Sequence, residues 1–391
     1  MTSLAASCFH TPLRMLRATG YLKLHKTADP ILRRLHDVYR MLILCWASFY
    51  FLQECIYAYL VRNNMDLLAR VMFLLLTHVT SSSKQIVFFI WGKDVEALID
   101  TLDDPVFNQS DSFSVSLLRS TAKNASKLAT SFFSAAVLTC TLWIIFPVID
   151  HYEGKHVEFF FWMGNVDSDQ PILFEIFVSY TYILTSLVAV GNTCMDSCMA
   201  TVLYQVQTQL RILRHNLENF PEKCLEIQKK RPHETYENIL HRNFIALLEH
   251  YEKIYKAAKD LEEVFHVCIL IEFTIGGWVL CMAAYKILNF FTVEFASMVL
   301  FILCILTELL LYCFFGNEAA FESQLLTNSI YAMNWLDTPM SFRKSLVLVM
   351  ERAKRPLNPT AGRVIPLTLL TFVTILKSSY TFYAVLNQMK S

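Results

Sequence analysis

The sequence predicts an all-α membrane protein: seven transmembrane helices in an inverted topology, N-terminus cytosolic and C-terminus extracellular, with a cytosolic helical anchor region. Three observations carry that prediction. Of 391 residues, 54% are hydrophobic and only 17% are charged, against roughly 25% charged in an average soluble domain, so the chain lacks the polar coat that water would require. The apolar residues gather into runs of about 20 or more, the length a helix needs to cross a bilayer. Lys and Arg fall almost entirely in alternate connections between those runs.

The runs lie at 38–61, 67–91, 128–149, 172–203, 264–290, 293–315 and 364–386. The segment 1–37 carries Arg14, Arg17, Lys23, Lys26, Arg33 and Arg34 without an apolar core, so it reads as cytosolic and not as a cleaved signal peptide. With that end inside, the inside segments hold 26 Lys and Arg and the outside segments hold 3, namely Arg62, Lys155 and Lys390. Short basic segments resist translocation, which fixes the orientation. The sequons at Asn108 and Asn124 then lie in the cytosol, where they carry no glycan. The 34 basic and 34 acidic residues cancel, which leaves no global field for nucleic acid.

The connections have distinct characters. The outer loop 150–171 is acidic and aromatic and reads as a lid over the outer face; His151, Glu153 and His156 within it have metal-ligand chemistry but not the spacing of a zinc hydrolase, and an ordinary exposed loop accounts for them. Segment 204–263 carries an apolar seam at Leu240, Phe244, Leu247, Tyr251, Ile254, Ala258, Leu261, Phe265 and Cys268. Its steps alternate four and three, so one long helix runs without a breaker from the cytosol into the fifth span and needs a partner surface. That surface is either the extension of the fourth span or a neighbouring subunit. Segment 316–363 fits two short helices broken at Asp337-Thr338-Pro339, and such a cytosolic cluster suits an oligomer.

No catalytic constellation is present. Nine glycines provide no phosphate-binding loop, and the motifs of zinc and serine hydrolases are missing; no cofactor or metal is expected. Most of the eleven cysteines sit in apolar runs and read as small hydrophobes, Cys194 and Cys198 included. Ionisable groups inside spans are costly and therefore suspect. Lys377 and Glu308 fall within about 5 Å of the same depth and are expected to pair or to share a water-filled path, the alternative being that each snorkels separately. Glu54, Glu272 and Glu294 lie nearer the ends and are expected to be hydrated. In the outer halves of the second, third, fourth and sixth spans, Met72, Phe73, Leu76, Trp143, Phe146, Phe177, Tyr180, Tyr182, Phe295, Met298 and Phe301 form uncharged sets suited to lining a cavity for a small neutral ligand, or simply to packing.

The C-terminal third resembles the insect odorant receptors. The residues that carry the resemblance are Tyr312-Cys313-Phe314-Phe315-Gly316-Asn317, then Ser323, Tyr331 and Trp335, then Arg355-Pro356-Leu357, Thr360-Ala361-Gly362, Pro366-Leu367-Thr368-Leu369-Leu370-Thr371-Phe372 and Ile375-Leu376-Lys377-Ser378-Ser379-Tyr380-Thr381-Phe382. They span about the last 80 residues; elsewhere the match is one of length and topology.

The resemblance implies an odorant-gated, non-selective cation channel of four subunits around a pore lined by the last span, in the dendritic plasma membrane of an olfactory neuron. It also implies a shared co-receptor as partner, and the compact segment before the fifth span resembles a ligand-binding tuning subunit. It places the odorant among the second to sixth spans, and the gate at the outer end of the last span, on Val385 and Met389 with Gln388 beside them. Asn387 departs from the apolar residue of the co-receptor. A gustatory-type receptor is the near alternative; a secondary transporter would show internal repeats and broken helices, and a G-protein-coupled receptor would need the opposite orientation.

Overall fold

A computed structural model describes residues 3–25, 28–154, 157, 159–164, 170–286 and 293–388. In chain order these residues form α1 (Leu4–Ser7), α2 (His10–Ala18), α3 (Pro30–Leu60), α4 (Met65–Ile90), α5 (Gly92–Asp100), α6 (Ser112–Tyr152), α7 (Pro171–Glu218) and α8 (Phe220–Lys230). Then follow α9 (Tyr236–Lys286), α10 (Val293–Gln324), α11 (Leu326–Ala332), α12 (Met340–Ala353), the short strands β1 (Thr360–Ala361) and β2 (Ile365–Pro366), and α13 (Leu369–Gln388).

Six helices are long and apolar enough to cross a membrane: α3, α4, α6, α7, α9 and α10. The seventh apolar helix, Leu369–Val385, is shorter. It begins five residues later than the apolar run at 364, because Ile365 and Pro366 belong to a hairpin and Thr368 Oγ1 caps the new helix by accepting from the Thr371 amide. At the other end, α3 begins before its apolar run. Asp29 accepts from the Ile31 amide at 2.8 Å and Pro30 sits in the first turn, so the cap and not hydropathy decides where the helix starts. Leu42, Phe49, Leu52 and Tyr59 form an exposed apolar stripe along α3, a surface that lipid satisfies and water does not.

The helices do not stop at the membrane. α6, α7 and α9 contain 41, 48 and 51 residues, and at 1.5 Å per residue α9 is about 76 Å long, more than twice a hydrocarbon core of ~30 Å. Along the N-terminal part of α9 the seam is used inside the chain. Leu240, Phe244, Ile254, Ala258, Leu261, Phe265 and Cys268 are buried, with Phe244 edge-on to Phe342 of α12 at 4.9 Å and Phe265 against Phe88 of α4 at 5.5 Å. The segment 316–363 contains the expected break: α11 and α12 flank Asp337–Pro339, while α10 itself continues to Gln324.

The N-terminal segment also packs. Ala5, Phe9 and Leu16 are buried in the main core, and Ser3 Oγ donates to Asp103 at 2.6 Å while Asn108 Oδ1 accepts from the Ala5 amide at 2.9 Å. Asn108 Nδ2 donates to two further carbonyls, so the side chain of this sequon is already occupied. Beyond α2, the Tyr21 ring lies against Gly191 of α7, where a Cβ would come within 2.0 Å of it.

A second aromatic nucleus sits under the outer loop, formed by Tyr50, Phe159, Phe161 and Phe174. The loop is strapped to α3: the Trp162 amide donates to Gln53 O and Gln53 Nε2 returns a bond to Trp162 O, both at 3.1 Å. On the opposite side, the β1–β2 hairpin pairs Thr360 with Pro366 and Ala361 with Ile365. Its turn residue Gly362 has φ +60 and donates to His266 O of α9 at 2.8 Å. A Cβ there would meet Leu270 at 2.5 Å, so both the backbone angle and the close approach require glycine.

Candidate functional site

α4, α6, α7 and α10 enclose a cavity of about 80 Å³. A water needs roughly 10–15 Å³ by the same measure, so the space accommodates a small organic molecule. Its wall is chiefly apolar, with Leu74, Phe132, Trp143, Val188, Phe301 and Ile305, and carries a few polar groups, among them Thr77, His78, Asn192 and Glu308. Trp143 lies nearly parallel to Phe301 at 5.5 Å, and Phe73 stands edge-on to both at 5.6 and 5.7 Å. Three rings from three helices thus make one rigid side of the cavity. His78 is held by Glu54, whose Oε2 lies 2.5 Å from Nδ1.

At the inner end of the cavity lies a buried charged cluster. Lys84 of α4 is fully buried, with Nζ 2.7 Å from Asp196 of α7, 2.7 Å from Glu272 of α9, and hydrogen bonded to Glu308 of α10. Asn192 Nδ2 donates to Asp196 Oδ2 at 3.0 Å and to Glu308 Oε1 at 3.1 Å, and Tyr312 donates its hydroxyl proton to Asp196. An ammonium this deep persists only when paired and hydrogen bonded. The cluster therefore locks four helices together, and Glu308 belongs both to it and to the cavity wall.

α9 carries the contact onward to the last helix. Four residues past Glu272, Gly276 meets Leu309, and one further on Gly277 O accepts from Ser379 Oγ of α13 at 3.0 Å. Trp278 stacks on Phe382 of α13 at 4.9 Å. A continuous set of contacts runs from the cavity through Glu308 and α9 to α13.

Sequence reasoning found part of this. The expected pairing of Glu308 with Lys377 is not what the structure shows: Glu308 takes Lys84, and Lys377 is exposed on α13. Glu54 and Glu272, expected at hydrated ends, are each 1% exposed, Glu54 being held by His78 and Glu272 by Lys84. Glu294 has no described side chain. Lys84 and Asp196 were missed, although each is an ionisable residue inside an apolar run, the signal that singled out Glu308.

Of the aromatic and Met candidates, Trp143 and Phe301 line the cavity and Phe73 supports them. Met298 is buried in the same core, while Met72, Leu76, Phe146 and Phe295 are half-buried away from the cavity wall. Phe177 and Tyr180 join the outer nucleus, at 5.8 Å from Phe159 and 5.5 Å from Phe161, and Tyr180 also donates to Gln53. Val385 and Gln388 are exposed on α13, and Met389 lies outside the described residues. His151 stacks on Phe174 at 3.7 Å and His156 lies outside the described residues; among those described, no three side chains are grouped to hold a metal.

A family model described as "7tm Odorant receptor" matches residues 64–380. The chain belongs to the 7tm odorant receptor family. Odorant receptor 10 of Aedes albopictus is 24% identical over 70% of each chain, and Odorant receptor 33a of Drosophila melanogaster is 23% identical over 74% of each. Odorant receptor 19a of Drosophila melanogaster is 25% identical over 37% of this chain and 38% of its own length. Among solved structures, the insect olfactory receptor OR5 from Machilis hrabei in complex with eugenol superposes with a TM-score of 0.84 at 17% identity, covering 97% of each chain. The structure of OR5 described without eugenol gives 0.83 with the same coverage. This odorant receptor is therefore an all-α, multi-pass membrane protein with the insect receptor fold.

The C-terminal signature of the receptor now has a physical basis. Tyr312 donates to Asp196. Gly316 admits Leu367, whose Cβ and carbonyl would lie 2.5 and 2.7 Å from any Cβ added there. Ser323 Oγ accepts from the Leu357 amide at 2.9 Å.

Proposed function

We propose that this receptor is the odorant-binding tuning subunit of a heteromeric, odorant-gated, non-selective cation channel. It assembles with co-receptor subunits as a heterotetramer in the plasma membrane of the olfactory neuron dendrite, N-terminus inside and C-terminus outside. One observation carries the reading: in a chain of the odorant receptor family, the described bundle holds an aromatic-walled cavity between four helices. A small volatile organic ligand fits that chemistry, as the eugenol named for the Machilis receptor illustrates. The aromatic wall consists of Trp143 and Phe301, backed by Phe73.

An odorant that fits the cavity better in the open state shifts the population toward it. The contacts through Glu308, α9 and Ser379 convey that shift to α13, where Val385 and Met389, with Gln388 beside them, form the apolar gate and Lys377 faces the aqueous path. A dewetted constriction blocks ions until it widens.

The test is whole-cell current under a panel of volatiles, with and without an insect co-receptor. Inward cation current confined to co-expressing cells is the expected result. Current from this chain alone would show a self-sufficient channel and remove the co-receptor from the proposal; silence in both despite surface expression would overturn it.

A further inference from the structure

Three side chains of the cavity wall each hold a buried polar atom with no hydrogen-bond partner among the described residues: Asn192 Oδ1, Trp143 Nε1 and Thr185 Oγ1, of which the threonine hydroxyl can act in either role. Such atoms are rare in folded proteins, and at a cavity wall the partner is whatever fills the cavity. The Asn192 amide has a fixed direction. Its Nδ2 faces Asp196 and Glu308 at 3.0 and 3.1 Å, and a reversed amide would turn its oxygen onto two carboxylates, so the free Oδ1 acts only as an acceptor. Trp143 Nε1 acts only as a donor. The Lys84 cluster thereby sets the polarity of the inner wall of the cavity although Lys84 itself does not line it.

Resting on the reading of this cavity as the odorant site, we infer that it selects hydroxylated volatiles, alcohols and phenols, over isosteric hydrocarbons and over volatiles that only accept hydrogen bonds. A hydroxyl can donate to Asn192 Oδ1 or accept from Trp143 Nε1. A ketone or ether serves the tryptophan and leaves the asparagine oxygen without a partner. A hydrocarbon serves neither, and it displaces any water that had been serving them.

The probes are matched volatiles of similar shape: benzyl alcohol, benzyl methyl ether and ethylbenzene, together with 1-hexanol, 2-hexanone and heptane. Each is applied to cells co-expressing the receptor and an insect co-receptor, and half-maximal free concentrations are compared. In the wild-type receptor the alcohol of a series is expected to act at a concentration on the order of tenfold lower than the hydrocarbon, with the ether or ketone between them. Trp143→Phe keeps the ring and is expected to remove the advantage of ether or ketone over hydrocarbon, and Asn192→Leu the advantage of alcohol over both. Equal potency of alcohol and hydrocarbon in the wild type overturns the inference while leaving the channel reading in place, and this comparison needs no variant to fold. Current to none of the six, with current to other volatiles, overturns the inference alone; current to no volatile at all overturns the channel reading with it.

Discussion

Two charged networks tie the long helices of this receptor together, one fully buried and one partly exposed. In the partly exposed network, Glu322 of α10 accepts from Arg211 Nε and Arg214 Nη1 of α7, both at 2.5 Å. Glu318 lies 3.4 Å from Arg211, and Arg214 Nε also donates to Ser329 of α11 at 3.0 Å. Two guanidiniums meet three carboxylates, Glu218 lying 3.7 Å from Arg214, and Arg211 is 41% exposed, so water can replace a lost partner. In the buried network, one ammonium faces three carboxylates, none of them more than 3% exposed. Similar chemistry thus acts as an adjustable clamp where water reaches it and as an all-or-none requirement where it does not, because only the partly exposed network can exchange a protein partner for solvent.

The sharpest way to break this comparison is to remove the cation. Lys84→Met leaves three buried carboxylates without their ammonium and is expected to destabilise the receptor by about 3–5 kcal/mol, read as loss of monodisperse protein and of surface expression. A melting temperature within a degree of wild type would show the fully buried network to be as replaceable as the partly exposed one. Glu322→Gln is the matched test in that second network. It weakens two charge-assisted hydrogen bonds but leaves Arg211 within reach of Glu318, Arg214 within reach of Glu218 and both within reach of water, so a loss of roughly 2 kcal/mol is expected, with surface expression retained.

The smallest expected effect at neutral pH concerns a buried polar group without a charge partner. His250 of α9 is bound through Nε2 to Gln209 of α7 at 2.8 Å and packed on Phe107. Burial, aided by nearby Lys253, lowers its pKa from 6.5 to about 4. Between those values the unfolded chain holds a proton that the folded one refuses, so stability falls as pH drops from 6.5 toward 4 and is unaffected by this group above 6.5. The slope approaches about 1.4 kcal/mol per pH unit. It would be measured by thermal melting of wild type against His250→Gln from pH 7.5 to 5; parallel curves would remove His250 from the account.

What the sequence made legible follows from where its signals are local. The apolar runs, the break at Asp337–Pro339 and the seam from Leu240 to Cys268 are periodic or compositional, and the bundle reproduces them. The aromatic wall was half visible, since Trp143 and Phe301 line the cavity while Phe177 and Tyr180, of the same chemistry, turn toward the outer nucleus. Which neighbour an aromatic meets depends on helix rotation, and one sequence does not encode that in a readable form. The partner of Glu308 was misread for a related reason. Depth along the membrane normal brings Lys377 level with it, but lateral position decides contact, and α4 rather than α13 stands beside α10 at that point. The hairpin was hidden inside an apolar run that contained Pro366.

The attachment of α13 to α9 has a mechanical consequence. Pins at the Gly362 turn, just before the helix, and at Ser379, within it, hold its first half as a beam clamped at two points. What extends past the second clamp, to Gln388, is a cantilever of nine residues, about 14 Å long at the helical rise. Bending it by about 10° carries its tip only about 2 Å while the clamped half stays still. Its stiffness, set by nine residues of backbone and by the Trp278–Phe382 stack that braces its root, would then govern how much force a bound ligand must deliver.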